Sequence, residues 1–127
     1  MRAIVSDDTA QIFESAFELA PTGVAVIGMD GRLMRVNRAL CQMLGRQTDE
    51  LVGSTSAPFT HRDDLKVTAS ACAHHRNTGT LREVRKRYLH PDGEAVRAST
   101  IGHTIVGADG EALCIVAHWS GDGLKGT

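Results

Sequence analysis

Residues Val24–Gly53 read VAVIGMDGRLMRVNRALCQMLGRQTDELVG, and the order of signals in this stretch decides the fold. The apolar run Val24-Ala25-Val26-Ile27 meets Asp30-Gly31, and a second short run, Leu33, Met34 and Val36, follows. Asp-Gly tolerates the positive φ angles of a tight turn, so the pattern predicts a hairpin. Asn37 stands directly before a helical pattern, where its side-chain oxygen can accept from the free N–H groups of the first turn. Leu40, Met43 and Leu44 recur at helical spacing, and Gly45 stops the helix. Thr48-x-x-Leu51 begins another short helical turn, which Gly53 ends.

Toward the N-terminus, Met1–Asp8 is expected to be a flexible lead-in to a helix over Ala10–Leu19, capped by Asp7 or Thr9. Ile12, Phe13, Ala16, Phe17 and Ala20 lie on one apolar stripe of that helix. Pro21 ends it, because the residue before a proline is driven out of the helical region. Toward the C-terminus, the polar stretch Ser54–Thr60, with Pro58, predicts a loop. A helix then starts at Asp63 or Asp64, carries Leu65, Val67, Ala69, Ala71, Cys72 and Ala73, and stops at Asn77-Thr78-Gly79. Three strands follow, Leu81–Leu89, Ala95–Ile105 and Ala112–Trp119, joined at Pro91-Asp92-Gly93 and Asp109-Gly110. Five strands with helices inserted between the second and third make an α+β domain with an antiparallel sheet. Hairpin logic alone gives the 1-2 and 3-4-5 neighbours.

The last strand places Leu113, Ile115, Ala117 and Trp119 on one face and Cys114, Val116 and His118 on the other. Both faces are largely apolar, whereas a half-solvated strand alternates apolar with polar. The sheet is therefore expected to be covered on both sides, by helices on one and by the N-terminal helix or a second protomer on the other. On the third strand Leu81, Glu83, Arg85 and Arg87 alternate with Arg82, Val84, Lys86 and Tyr88. That charge load predicts an edge strand.

The Val24–Gly53 pattern resembles the first half of a PAS sensor domain. FTHRDDLK at Phe59–Lys66 is similar to the family's connecting segment, which often reads His-Pro-Asp-Asp, with Arg62 in place of the proline. YLHPDGEAV and the strand near Ile115–Ser120 fit the second half, so the resemblance spans Ile12 to Asp122. It implies a PAS-like five-stranded antiparallel sheet in the order 2-1-5-4-3, with a flanking helix over 1–20, the domain proper over 21–121 and a linker beginning at 122–127. It also implies a sensory input module that binds a small ligand or a partner, forms a homodimer and is covalently linked to an effector domain. The competing expectations are a ligand-free dimerisation module and a small cone-fold enzyme.

The composition agrees with one domain: 127 residues, 42% of them apolar, and a net charge of −1 from 14 basic and 15 acidic side chains. The balance gives no nucleic-acid footprint, and no apolar run approaches the roughly 20 residues of a membrane span. The first residues lack a basic-then-apolar signal pattern, so the cytoplasm is the expected compartment. The three cysteines, Cys41, Cys72 and Cys114, show no metal-ligand spacing and are expected as buried, reduced thiols.

Six histidines raise a metal or haem reading, but the HxxxH and HExxH spacings are absent. Haem-binding PAS domains carry an axial histidine within the long helix, where Thr68–Ala71 holds none. The cysteine segment of the photochemical flavin-binding members has no counterpart. Neither haem nor flavin is expected, and the cofactor is left unidentified. His118, polar on an otherwise apolar face, is the first candidate to contact a ligand, with Val116, Cys114, Cys41, Leu44, Ala69 and Cys72 around it. Phe13, Phe17, Ile115 and Trp119 are the candidates for a dimer interface. Glu83 and Arg85 resemble a Glu-x-Arg pair common on the third strand of the family. No nucleophile–base set and no Gly-rich phosphate loop appears, so the chain is not expected to be an enzyme.

Overall fold

The Asp30-Gly31 signal forms the hairpin it predicts: Gly31 N donates to Gly28 O at 2.9 Å and Gly28 N to Arg32 O at 2.8 Å, joining β1 (Gly23–Ile27) to β2 (Leu33–Val36). The structure is a computed structural model that describes residues 6–78 and 81–121. Asn37 then caps α2 (Arg38–Leu44), its Oδ1 accepting from Leu40 N at 3.1 Å. Gly45 closes α2 at φ 65°, where its N–H reaches the last carbonyls of the helix. A second short helix, α3 (Thr48–Leu51), is capped by Gln47 and Glu50 together.

The N-terminal helix is longer than its sequence pattern indicates: α1 runs Ser6–Leu19, so part of the expected lead-in is helical. The other long helix, α4 (Leu65–Thr78), starts after a 3-10 turn at Arg62–Asp64 instead of at the aspartates themselves. His61 caps that turn, Nδ1 accepting from Asp63 N at 3.1 Å. Gly79, the expected stop of this helix, and residues 122–127, the expected linker, lie outside the described residues.

The strands β3 (Leu81–Leu89), β4 (Ala95–Val106) and β5 (Ala112–Gly121) complete one antiparallel sheet in the order β2-β1-β5-β4-β3. Beyond the hairpin neighbours, the first strand pairs with the last, Ala25 opposite Ala117 and Ile27 opposite Ile115. The charged third strand is at an edge, as its residues predict. That edge is covered: Thr60 bridges to Tyr88, and His61 N donates to Arg87 O at 2.9 Å, so backbone groups that could recruit another strand are engaged.

The core lies between the sheet and the inserted helices. Leu40, Leu44, Leu51 and Phe59 pack against Ala25, Leu33, Val36, Ala98, Ala117 and Trp119, all buried. Small residues at the centre of the sheet, Ala25 and Ala117, are fully enclosed and let α2 approach β1 closely. Among the described residues no helix is long and apolar enough to cross a membrane.

Candidate functional site

Cross-strand partners in an antiparallel sheet share a face, so the register fixes which side chains look toward the helices. Trp119 is opposite Gly23 and Thr100, and Ile115 is opposite Ile27 and Thr104. Val84, Lys86 and Tyr88 pair with Thr100, Ala98 and Val96, on that same inner face. Of these, Ile27, Val84, Lys86, Tyr88, Thr100, Ile115 and Trp119 line a cavity of about 210 Å³ between the sheet, α4 and the β1–β2 turn. Ile27, Leu33, Ala71, Val84, Ile115 and Trp119 make most of its wall apolar, and the exposed Met29, Asp30 and Cys72 mark its mouth.

One corner of the cavity is polar. Lys86 is only 7% exposed, although it is an ammonium on a wall of Val84, Tyr88 and Ala71. Its Nζ donates to Ser56 Oγ at 3.3 Å and to Thr68 Oγ1, and it sits 5.0 Å from the centre of the Tyr88 ring. Among the described residues no carboxylate pairs with it; its partners are neutral hydroxyls and a π face. Burial lowers the Lys86 pKa from 10.5 to about 8, with the acidic groups of Cys72 and Asp64 acting in the opposite sense.

Deeper in, Trp119 Nε1 donates to Tyr88 Oη at 2.9 Å, and Tyr88 Oη shares a hydrogen bond with Thr100 Oγ1 at 3.0 Å. Burial raises the Tyr88 pKa, against the pull of its bonds to Thr100 and Trp119. At the α4 side of the cavity, His75 Nε2 lies 3.0 Å from Thr104 Oγ1.

Below this corner Asp64 fixes the start of α4 to the sheet edge. Its Oδ2 accepts from Arg87 N at 2.7 Å and from Arg87 Nε at 3.0 Å, and its Oδ1 from Arg87 Nη2 at 2.8 Å. The Arg87 guanidinium and amide hold the Asp64 carboxyl well below the usual range. The FTHRDDLK segment is therefore a structural clamp: His61 caps, Asp64 grips β3, and Thr68 one helical turn later meets Lys86.

The two faces of β5 are the reverse of the sequence expectation. Cys114, Val116 and His118 lie on the outer face, with His118 exposed and placed between Val24 and Ile101 across the sheet. They do not line the cavity. Ile115 and Trp119, expected at a dimer interface, are buried on the inner face and do line it. Of the other residues expected around a ligand, Cys72 borders the cavity and Ala69 is exposed on α4, while the neighbouring Ala71 lines the wall. Leu44 is buried within the core, and Cys41 is half-buried with Sγ 3.6 Å from Thr48 Oγ1. Cys72 is exposed, against the expectation of three buried thiols, and all three cysteines are free.

Phe13 is 69% exposed on α1, whereas Phe17 lies under Arg35, 4.7 Å from the guanidinium carbon. Arg35 also forms a two-bond pair with Glu14, at 2.6 and 2.9 Å, which seats α1 beside β2 and α2. Ile101 and Ile105 on the outer face each keep about two-fifths of their surface open. Glu83 and Arg85 form the expected pair, at 3.6 Å, but on the exposed side of β3, where such a contact contributes about 0–1 kcal/mol. Among the described residues no cluster of three His, Cys, Asp or Glu side chains is placed to hold a metal.

Sequence reasoning missed Lys86, Tyr88 and Thr100. The signal was the alternation Val84-x-Lys86-x-Tyr88: an apolar–aromatic face interrupted by one lysine.

Residues 10–119 match the family described as PAS fold. The probable diguanylate cyclase DgcE of Escherichia coli (strain K12) is 30% identical over 109 residues, 83% of this chain, which spans only 10% of that relative's length. Among solved structures, the PAS domain of a Colwellia psychrerythraea protein superposes with a TM-score of 0.76 at 14% identity, covering 91% of this chain and 98% of that one. The PAS domain of a LuxR-family transcriptional regulator from Burkholderia thailandensis, solved in complex with ethanol, superposes with a TM-score of 0.71 at 16% identity, covering 88% and 98%.

Proposed function

The chain belongs to the PAS family, a sensory module of signalling proteins, and from that premise we propose that it holds a small ligand between its sheet and α4 and reports occupancy to a covalently linked effector. The observation that carries this reading is the cavity of about 210 Å³ with one built polar corner at Lys86 in an otherwise apolar wall. Apolar walls with a few convergent polar groups are what small-molecule sites share. The ethanol found in the Burkholderia thailandensis PAS domain supports small-molecule occupancy in this fold. The relation to a probable diguanylate cyclase supports an effector of the cyclic-dinucleotide class. This reading takes the module to work in the cytoplasm. In this reading residues 1–20 flank the sensor, 21–121 form it, and 122–127 begin the connection onward.

The output follows from where the strands run. Ile115 and Trp119 touch the cavity from β5, the strand that ends at Gly121, and the same strand pairs with β1 beside α1. A ligand that packs better against one placement of β5 biases the placement of both chain ends. Native mass spectrometry of the purified protein tests the reading: a bound small molecule that leaves on denaturation is expected. A bare polypeptide mass, together with no response of the Trp119 indole N–H resonance to any small organic probe, would overturn it.

A second reading, dimerisation without a ligand, is favoured by a different set of residues. Ile12, Phe13 and Leu19 on α1 and Ile101 and Ile105 on the outer sheet face are exposed apolar groups. Dimerisation through these residues is compatible with a ligand in the cavity; the two readings part on whether a ligand is held. The dimer surface under this proposal consists of these residues in place of Ile115 and Trp119.

A further inference from the structure

Resting on the ligand-binding reading above, we infer that the cavity selects a small monocarboxylate with an apolar body, its carboxylate seated on Lys86, Ser56 and Thr68. The inference begins from an ammonium that is 7% exposed and has only hydroxyl groups and an aromatic face for partners. Taking a charge out of water is costly unless an opposite charge meets it. Three arginines of β2 and β3 meet carboxylates, Arg87 at Asp64, Arg35 at Glu14 and Arg85 at Glu83, whereas the half-buried Arg46 is held by the carbonyls of Leu44 and Leu89 and the Phe59 ring. Lys86 is the buried cation among them, and it faces the cavity.

The neighbouring hydroxyls sharpen the chemistry. Ser56 Oγ and Thr68 Oγ1 each accept from Nζ. An oxygen that accepts in this way still has its own O–H to give. The ammonium and both hydroxyls therefore stand side by side on the cavity wall with O–H and N–H groups able to donate, although each hydroxyl also keeps one lone pair. A carboxylate supplies two oxygens with about four lone-pair sites, and hydrogen bonds to an ionised partner are the stronger kind. A neutral alcohol would satisfy fewer of these donors and leave the charge uncompensated.

The rest of the wall sets the body of the ligand. Ile27, Leu33, Val84, Ile115 and Trp119 present hydrocarbon. A cavity of about 150 Å³ accommodates benzene. One of about 210 Å³ thus takes an aromatic or branched acid of about eight or nine non-hydrogen atoms. The acidic group at the mouth, Asp30, is engaged by Arg32: its Oδ1 accepts from Arg32 N at 3.0 Å and its Oδ2 lies 3.9 Å from Arg32 Nε. Among the described residues Lys86 is the one lysine or arginine in the lining, so a second carboxylate on the ligand would meet no further ammonium or guanidinium there, only the His75 imidazole.

The test uses matched acids and amides, benzoate against benzamide and hexanoate against hexanamide, titrated into the ligand-stripped protein. Calorimetry and the Trp119 indole N–H resonance serve as readouts. The acids are expected to bind about tenfold or more tightly than their amides. Lys86→Met and Lys86→Gln are expected to abolish that preference while the amides bind within about threefold of their wild-type affinity. Retained thermal unfolding of each variant confirms that it is folded. Amides that bind as well as acids, or acids indifferent to Lys86, overturn the carboxylate assignment but leave the cavity as a ligand site. Failure of all four probes to bind or to move the Trp119 resonance overturns both.

Discussion

The indole N–H of Trp119 donates to the phenol oxygen of Tyr88 at 2.9 Å, across β4 and inside the apolar core. With Thr100 on the intervening strand it makes a chain of three side chains spanning β5, β4 and β3, each of them bordering the cavity. Tyr88→Phe removes the acceptor and leaves a buried N–H with nothing to receive it. The expected cost is about 1–3 kcal/mol in urea unfolding, with an unchanged dependence on denaturant. A loss under about 0.5 kcal/mol would show that Trp119 finds another acceptor.

Asn37 uses every hydrogen-bonding capacity of its side chain. Oδ1 accepts from Val24 N at 2.9 Å and Leu40 N at 3.1 Å, while Nδ2 donates to Phe17 O at 2.9 Å and Thr22 O at 3.0 Å. One fully buried residue thereby joins the end of α1, the lead into β1 and the cap of α2. Asn37→Ala is expected to cost about 3 kcal/mol or more, above the usual range for a cap, because four backbone groups lose their partner. Hydrogen exchange should show the Leu40 and Val24 amides deprotected before the centre of the sheet. Asn37→Asp keeps the acceptors, forfeits both donors and buries a charge, so it is expected to do no better.

The cap at Asn37 and the stop at Gly45 were legible because each is a local backbone requirement written in one residue. The strand order was not fixed by hairpin logic, since pairing of β1 with β5 joins segments about ninety residues apart in the chain; it followed from the family resemblance. The faces of β5 were misread for a physical reason. With Ile115, Ala117 and Trp119 on one side and Cys114 and Val116 on the other, polarity does not tell inside from outside. His118 was taken for the exception within, and it is the exposed group. β3 carried the better signal, because Glu83, Arg85 and Arg87 all lie on the side opposite Val84 and Tyr88. Lys86 shares the apolar side, and only the register with β4 shows that this side is buried.

Gly45 and Gly53 both adopt positive φ, 65° and 90°, yet they differ in their surroundings. A Cβ at Gly53 would meet nothing within 4 Å, whereas one at Gly45 would come within 2.6 Å of His90 Nδ1. The His90 ring is held there by its Nε2, 2.7 Å from Met43 O. Gly53→Ala is expected to cost about 1 kcal/mol from backbone conformation alone. Gly45→Ala should cost about 1–3 kcal/mol beyond that, as the imidazole is displaced and Met43 loses its partner. Equal losses in thermal or urea unfolding would mean that the His90 contact carries no weight.

Asp64 makes the chain acid-sensitive in a defined window. Its carboxyl titrates below its ordinary 3.8 in the folded state because Arg87 holds the ionised form. The stabilisation is therefore complete above about pH 4 and is lost progressively as the pH falls toward the lowered folded value. Unfolding measured from pH 6 down to pH 2 should show a steeper loss for the wild type than for Asp64→Asn. The variant begins less stable, and the gap between the two curves should narrow toward the acid end. Parallel curves would remove Asp64 from the account.

Lys86 is expected to oppose folding at neutral pH, and the sign of its pH dependence is the reverse of a salt bridge. Its folded pKa, about 8, lies below the ordinary 10.5, so between those values the unfolded chain binds more protons than the folded one. Stability then rises with pH across that window, and the cost of the buried charge is fully present below about pH 8. Lys86→Met keeps most of the side-chain volume and removes the charge. It is expected to raise stability by about 1–3 kcal/mol at pH 7, with the advantage shrinking to nothing near pH 10.5. Cys72 and His75 on α4, Asp30 at the mouth, Asp64 and Tyr88 also face this corner. The difference between variant and wild type isolates the lysine, because those groups are common to both. A variant less stable than wild type at pH 7, in protein freed of small molecules, would mean that the hydroxyls and the Tyr88 ring already compensate the ammonium. A variant more stable than wild type yet unable to prefer a carboxylate would mean that the chain keeps a destabilising charge for what it binds.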